Sequence, residues 1–561
     1  MPPPAPWPAP DADHLLVTAA EMAALEAQMF VSGLPVAALM EKAALAISAR
    51  LLARAGTDRA GLIAPGQAVL VLVGPGHNGG DGLVMARELH LAGVAVRVWS
   101  PFERHKPLTD AHLRHALWLG IPRLEAAPEP GDPELWIDAL FGIGQSRPPG
   151  DLLASLLEER QCLRPQRLLA VDGPTGLCAD SGRLLGGGGA TAALTWSIGL
   201  IKRGFIQDIA LARVGQLERI DLGLPPSLLA TLPARTPLAL AGGDGPGAPW
   251  PRPDPAAAKY GRGRLLVVAG SRRFRGAAHL ALAGASASGC GSLQAALPQE
   301  LVDSLWMVHP EVVLAAELGA TAAGGLDLAP LAELELERLD AILLGPGLGA
   351  ELSLDAEAAS WRRLQTFSGL LVLDADGLNR LATCGSTVNL GPNSAGVEPP
   401  ADACSWLRLR RGPTWITPHA AEFSRLFPDL RGLEPLEAAS QAARSSGATV
   451  LLKGARTVVA AADGRRWQLL QAAPQAARAG LGDVLAGYAA GRGAVACGAV
   501  ACGGVALASG MGANPAALPL ADASLLAAVA LAHAQAGWRC LERWGSGGVS
   551  PQAVAADLQR T

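Results

Sequence analysis

Two hydrophobic patterns alternate along the chain. Short continuous apolar runs at Ala68–Val73, Val94–Trp99, Leu135–Leu140 and Arg167–Asp172 have the length of buried parallel strands. Between and before them lie stretches of helical period, one opening at Thr18, one over Pro35–Arg54 and one over Leu83–Leu91. Thr18 with Glu21 three residues on predicts a capping box. Strand, glycine-rich turn, helix and strand over Ala68–Trp99 make one βαβ unit. Two of the runs bring an aspartate, Asp138 or Asp172, to a strand end before a glycine-bearing turn, where open α/β sheets bind ligands.

Periodicity fades from about Leu224 to Tyr260, and Gly242–Pro255 is dense in Gly and Pro, which predicts a linker. Beyond it the strand pattern resumes at Arg264–Gly270, Ala341–Leu344, Leu370–Asp374, Thr414–Thr417 and Thr449–Leu452. The reading is two α/β domains in tandem: a three-layer Rossmann-like domain over 15–225, a linker over 226–258 and a second three-layer domain over 259–545. The Pro-rich first residues are read as disordered.

Composition narrows the function. Half of the 561 residues are hydrophobic and 17% are charged, enough for two sizeable cores. The net charge of −4 is close to neutral, no basic stripe appears, and with 2 Tyr and 8 Phe there is little to stack on bases, so nucleic acid is not an expected partner. The 8 cysteines form no CxxC pair, which argues against zinc ribbons and disulfides and for a cytoplasmic protein. No signal peptide is apparent. Gly493–Leu518 lacks charge over a membrane-spanning length, but its Ala, Gly and Pro content predicts a buried or surface segment instead.

The densest chemistry of the first half is Gly74-Pro-Gly-His-Asn-Gly-Gly-Asp-Gly82. Small residues before a helix let backbone N–H groups converge on an anion, although tight turns also use glycine for positive φ. His77, Asn78 and Asp81 in that turn, with Asp138 and Asp172 at neighbouring strand ends, favour a site over a set of helix caps. Gly74–Arg87 (GPGHNGGDGLVMAR), Asp138–Gly144 (DALFGIG) and Val171–Leu177 (VDGPTGL) together resemble the NAD(P)H-hydrate epimerase family. The family pattern is close to NNGGD, DALFGTG and DIPSG, so this chain departs at His77, Ile143, Gly173 and Thr175. The resemblance implies that His77, Asn78, Gly79, Gly80 and Asp81, with Gly142, Ile143, Gly144, Gln145, Ser146, Arg147 and Pro148, bind the hydrated dinucleotide. It implies Asp172 at the reacting ring, as acid–base for opening and reclosing. It also implies a potassium ion held by Asn78, Asp138 and Thr175, hard oxygen donors suited to such a cation.

In the second half, Gly480-Leu-Gly-Asp483 leads into an apolar helix and offers an anion hole with a carboxylate beside it; Asp there is also a common N-cap. Three further strand ends add Gly345–Gly349 (GPGLG), Thr417–Phe423 (TPHAAEF) and Leu452–Thr457 (LKGART). With Arg275–Ala278, these segments resemble the ADP/ATP-dependent NAD(P)H-hydrate dehydratases, which have a ribokinase-like fold. The resemblance implies Ala277, Gly349, His419 and Asp483 at the hydrated dinucleotide, and Lys453, Gly454, Ala455, Arg456, Thr457 and Gly482 at the nucleotide. It implies Asp483 as general base, magnesium with ADP or ATP, ADP more than ATP in this fused form, and a homo-oligomer. Ala421 stands where the family has Gly, and about Gly385–Pro413 and Gly493–Leu518 look inserted. The small-molecule partners implied are NADHX, NADPHX and ADP or ATP, with no membrane partner. Two other readings stand beside this one. A sugar or vitamin kinase would explain the GxGD turn but not NGGDG or DALFG. A non-catalytic scaffold would not require Asp172 and Asp483.

Overall fold

The computed structural model describes residues 6–54, 66–241, 248–251, 256–350, 354–387, 402–472, 477–501 and 521–560. They divide into two compact units. One is Ala9–Leu238; the other is Met1–Pro8 together with Ala239–Thr561. The stretch expected to be a linker therefore holds structure: Pro226–Leu229 is helical and Leu238–Leu240 is a strand. Trp7, expected to be disordered, accepts a hydrogen bond on its carbonyl from Trp467 Nε1 at 2.9 Å. The second unit also continues past residue 545, because the helix Pro551–Leu558 buries Val554 and Leu558.

The first unit is built on a seven-stranded parallel sheet. Its order is Arg123–Leu124, Val96–Trp99, Val69–Val73, Leu135–Ala139, Leu168–Val171, Leu194–Ile198 and Gln216–Ile220. From Val69–Val73 the chain works outward to one edge, then returns to build the other side. The gap between Val69–Val73 and Leu135–Ala139 is thus a switch point, where loops diverge and leave a crevice. All five residues of each of these two strands are buried, as a sheet covered on both faces requires. Each buried Val or Leu stabilises the sheet by about 1.5–3 kcal/mol before entropy is counted. The expected Thr18 cap is formed: Glu21 N–H donates to Thr18 Oγ1, and Glu21 Oε2 accepts from the Thr18 N–H at 2.7 Å.

The second unit carries a ten-stranded sheet ordered Leu238–Leu240, Arg466–Leu469, Val458–Ala460, Thr449–Leu452, Thr414–Ile416, Leu370–Leu373, Ala341–Leu344, Arg264–Val268, Ser292–Pro298 and Val313–Leu318. Pairing is parallel from Thr449–Leu452 to Val313–Leu318, and antiparallel where Val458–Ala460 and Arg466–Leu469 turn back. The helix Leu481–Ala501 lies against the helix Arg275–Ala287, backbone on backbone. A Cβ on Gly487 would come within 1.9 Å of the Ala281 carbonyl oxygen, and one on Gly284 within 2.1 Å of that of Val484.

The apparent insertions are partly explained. Asp402 caps the helix Ala403–Arg408, which buries Trp406 and Leu407, so this end of the first insertion is core. Gly493 meets Leu370 and Trp415 within the long helix, so the second insertion begins as packed helix. Residues 388–401 and 502–520 lie outside the described residues. Among the described residues, no helix is long and apolar enough to cross a membrane.

Candidate active sites

In the first unit the helix starts at His77, six residues before its predicted start, so Asn78 to Gly82 are helical rather than turn. None of Gly74, Gly76, Gly79, Gly80 and Gly82 has positive φ. These glycines serve close approach instead. A Cβ on Gly74 would lie 1.6 Å from the Leu140 carbonyl oxygen, and one on Gly79 2.0 Å from that of Gly74. The helix N-terminus, with N–H groups that lack intrahelical acceptors and a partial positive charge, is thereby pressed onto the switch point.

Three sequence segments meet there. Asp138 is fully buried and accepts from Thr175 N–H at 2.8 Å, Thr175 Oγ1 at 2.7 Å and Leu140 N–H at 3.2 Å. Burial pushes its carboxyl up to about 6, against those hydrogen bonds. Asn78 is buried, and neither amide atom has a partner among the described residues. Gly142 abuts that amide. Gln145 ties the loop to the third segment, accepting from Gly176 N–H at 2.6 Å and donating to the Pro174 carbonyl at 3.3 Å. Ile143 packs on the cluster around Leu177 and Phe205. Gly144, Ser146, Arg147, Pro148 and His77 are exposed.

Asp172 ends its strand at φ 53°, a left-handed conformation that costs a non-glycine residue energy and gathers at functional sites. Its Oδ1 accepts from Lys202 Nζ at 2.7 Å and Ile198 N–H at 3.0 Å. Lys202 is fully buried. Glu26 is pushed up by burial and then by Asp172, and Asp81 well up by burial, Asp172 and Glu26. Sequence reading missed Lys202 and Glu26. The signal for Lys202 was a lysine directly after the apolar run Leu194–Ile201.

In the second unit Gly480 has φ +90°, and Asp483 is the third residue of its helix rather than an N-cap. Gly345, Gly347 and Gly349 all have positive φ. The GPGLG loop closes on the helix that carries Ala277: a Cβ on Gly347 would meet the Ala277 Cβ at 2.7 Å. Gly349 N–H donates to Asp376 Oδ2 at 2.8 Å. His419 is neither a core histidine nor free. It caps the helix Ala420–Leu426, with Nδ1 accepting from Ala421 N–H and Glu422 N–H, while its ring is half exposed. A parallel bridge joins His419 to Lys453, so the TPH and LKG segments leave the sheet side by side. Gly454 and Ala455 are exposed, Arg456 is buried, and Thr457 Oγ1 donates to the Gly454 carbonyl.

Lys453 Nζ lies 3.4 Å from where a Cβ on Gly482 would be. It donates to Asp374 Oδ1 at 2.6 Å, and Asp374 is 1% exposed and also accepts from Thr417 Oγ1 at 2.8 Å. Burial works against the Lys453 charge, but Asp374 and Glu422 more than offset it, so its pKa is raised. Asp483 is pushed up to about 7, by burial first and then by Asp374, with Lys453 opposing. His533 is driven down to about 4 by burial and stays neutral. Asp374, Asp376, Glu422 and His533 were not singled out from the sequence. Asp374 had a legible signal, an acid closing an apolar strand, the same signal that marked Asp172.

The family model described as NAD(P)H-hydrate dehydratase matches residues 265–560, and that of the YjeF-related protein N-terminus matches 36–204. A bifunctional NAD(P)H-hydrate repair enzyme of Gloeobacter violaceus is 41% identical, over 84% of this chain and 87% of its own length. That of Synechocystis is 39% identical over 85% of each. A solved Bacillus subtilis ADP/ATP-dependent NAD(P)H-hydrate dehydratase, co-crystallised with ATP/Mg2+, is 23% identical over 55% of this chain and 92% of its own, with TM-score 0.39. A front half with a switch-point cleft, a back half with a raised carboxylate in the first turn of a helix, and relatives matched along most of their length lead to one assignment: the chain belongs to the bifunctional NAD(P)H-hydrate repair enzymes, epimerase and dehydratase in one polypeptide.

Proposed function

We propose that the chain interconverts the R and S forms of hydrated NADH and NADPH at the Asp138–Asp172 cleft and returns the S form to NAD(P)H at Asp483. The second step uses ADP as phosphoryl donor in preference to ATP. The carrying observation is Asp483: a carboxyl pushed up to about 7, in the first turn of the Leu481–Ala501 helix and facing Lys453. A base with that proton affinity takes the proton of the ring hydroxyl at neutral pH. The hydroxyl oxygen then bonds to the terminal phosphorus of ADP, the bridging P–O bond breaks, and AMP leaves. Loss of phosphate and a ring proton restores the dihydronicotinamide. Backbone N–H groups at Gly482 and Asp483 offer the anion hole for the phosphoryl group. Ala277, Gly349 and His419 border the dinucleotide, and Lys453 to Thr457 hold the adenine nucleotide. Magnesium bound with the nucleotide would neutralise phosphate charge.

In the first unit Asp172 passes the proton as the hydrated ring opens and recloses, with Lys202 holding the carboxylate in place. His77 to Asp81 and Gly142 to Pro148 form the cleft wall. Asn78, Asp138 and Thr175 fit a potassium ion: their donors are oxygens, the Asn78 amide lacks a partner among the described residues, and Asp138 is a buried carboxyl without a counter-charge in contact. Such an ion would supply fixed positive charge beside the bound dinucleotide. Cys162, Cys178, Cys290, Cys404 and Cys540, none of them in a disulfide, suit a reducing cytoplasm, and a homo-oligomer is part of the proposal.

The test is recovery of reduced-nicotinamide absorbance from a mixture of both hydrate epimers, with Mg2+, K+ and ADP or ATP, using the full chain. Recovery of both epimers beyond a no-enzyme control, faster with ADP, is the expected result. Recovery of S alone removes the epimerase roles. No recovery from folded protein removes the proposal and brings a sugar or vitamin kinase forward.

A further inference from the structure

Lys453 Nζ lies 3.4 Å from where a Cβ on Gly482 would be, beside Asp483 in sequence, yet among the described residues the carboxylate it bonds to is that of Asp374. Its ammonium lies 2.6 Å from Asp374, and Asp374 is fixed in turn by the Thr417 hydroxyl at 2.8 Å. The backbone after Asp374 is bent to hold this arrangement: Ala375 has φ +48°, a left-handed conformation in a residue with a side chain. Two backbone approaches lock the turn. A Cβ on Gly345 would fall 1.7 Å from the Asp374 carbonyl oxygen, and one on Gly377 2.5 Å from that of Leu344. The Asp374 backbone continues the sheet, its N–H donating to the Leu344 carbonyl at 3.2 Å, but its carboxylate is turned to other work: the side-chain partners, Thr417 and Lys453, come from segments that border the Asp483 site.

From this geometry we propose that Asp374 is a positioning residue for dehydration: it draws Lys453 away from Asp483 and leaves the base in mainly negative company. This rests on the reading of Asp483 as the general base. The charged groups that act on Asp483 are Asp374 and Asp376 from the end of Leu370–Leu373, Lys453 from the end of Thr449–Leu452, and Glu422 from the first turn of Ala420–Leu426. Those beyond them are His419, which caps that turn beside Glu422, and His533, which faces Lys453 and is neutral above pH 4. The helix Arg275–Ala287 and the residue after it meet Leu481–Ala501 through Ala281, Gly284, Ala285 and Ser288, none of them titratable. Were Lys453 bonded to Asp483, its counter-charge would favour the ionised carboxylate and weaken the base.

The test is the pH dependence of kcat/KM for the S hydrate at saturating ADP, whose acid limb reports the base in the enzyme–ADP complex that meets the hydrate. Asp374→Asn removes a negative neighbour and frees the ammonium, so the acid limb moves down by about one pH unit or more, and the plateau kcat falls while KM for the hydrate holds. Lys453→Met moves the limb up by about one unit, and Lys453→Arg leaves it near wild type. A purely structural role for Asp374 moves no limb. Unshifted limbs in folded Asp374→Asn and Lys453→Met overturn the inference. If a thermal melt shows Asp374→Asn unfolded, Lys453→Met decides alone. The underlying reading fails separately: a fully active Asp483→Asn removes the base, whatever the limbs do.

Discussion

Each unit brings a carboxylate to the ligand-binding end of a parallel sheet and buries a lysine nearby, yet the lysines are spent differently. In the first unit Lys202 bonds to Asp172 itself. In the second, Lys453 bonds to Asp374, while Asp483 has no ion-pair partner among the described residues and is pushed up to about 7. The roles proposed for Asp172 and Asp483 ask for this difference. Opening and reclosing a ring needs a carboxylate fixed in place, which a buried counter-charge supplies. Activating a hydroxyl for phosphoryl transfer needs proton affinity near the working pH. One pair of residue types serves both ends, and the third residue in contact decides which.

The largest effect that would break the comparison is loss of one activity without the other. Asp483→Asn should cut dehydration of the S hydrate by about 10³-fold and leave R/S interconversion, followed by chromatography of the two epimers, at its original rate. Asp172→Asn should do the reverse, with a loss of about 10²-fold. Equal loss of both in either variant would mean one site serves both reactions.

A second contrast is energetic. Lys202→Met leaves the Asp172 carboxylate without its partner and should cost about 3 kcal/mol in urea unfolding of the first unit. A third prediction concerns how rigidly Asp483 is carried. Gly487→Ala drives a methyl group into the Ala281 carbonyl and should cost about 1–3 kcal/mol, seen as a lowered melting midpoint of the second unit alone.

The smallest expected effect is ionic. Asp138 has a folded-state pKa of about 6, raised from 3.8 by burial. Because the value is raised, the penalty for its charge is absent at pH values below the unfolded pKa, grows between about 4 and 6, and is complete above 6. A cation held there offsets that penalty. The melting midpoint gained on replacing choline chloride by KCl should therefore be larger at pH above 6 than in acid, and Asp138→Asn should abolish the difference. A gain independent of pH would place the ion elsewhere.

Much of this was legible in the sequence, for reasons that differ by residue. Asp138, Asp172 and the strands bearing them stood out because buried parallel strands are unbroken apolar runs, and an acid closing one is conspicuous. Gly74–Gly82 was identified as a site element but misread as a turn; glycines that serve close approach, Gly74 before the helix against the Leu140 carbonyl and Gly82 within it against the Ala139 methyl, look, in sequence, like turn glycines chosen for positive φ. Lys202, Glu26 and His533 were missed because a partner 30 residues away, or on another helix, leaves no local pattern. Asp374 carried the same signal as Asp172 and was passed over for want of a motif around it. The family resemblance supplied roles that spacing alone left open between helix cap and ligand, and His419 turns out to be positioned by capping.

The hydrogen bond from Trp467 to Trp7 crosses 460 residues of chain. The polypeptide thus begins in one compact body, leaves it to build the other, and returns. Its two halves cannot be parted by a single cut. A fragment made by severing the chain after Leu238 would give the back half without the segment that satisfies its Trp467 indole, while the front half would keep a segment that belongs to the other body. On the ribosome, Trp7 must wait until its partner 460 positions later has been made, so this contact of the back half closes only after the whole intervening chain has been synthesised.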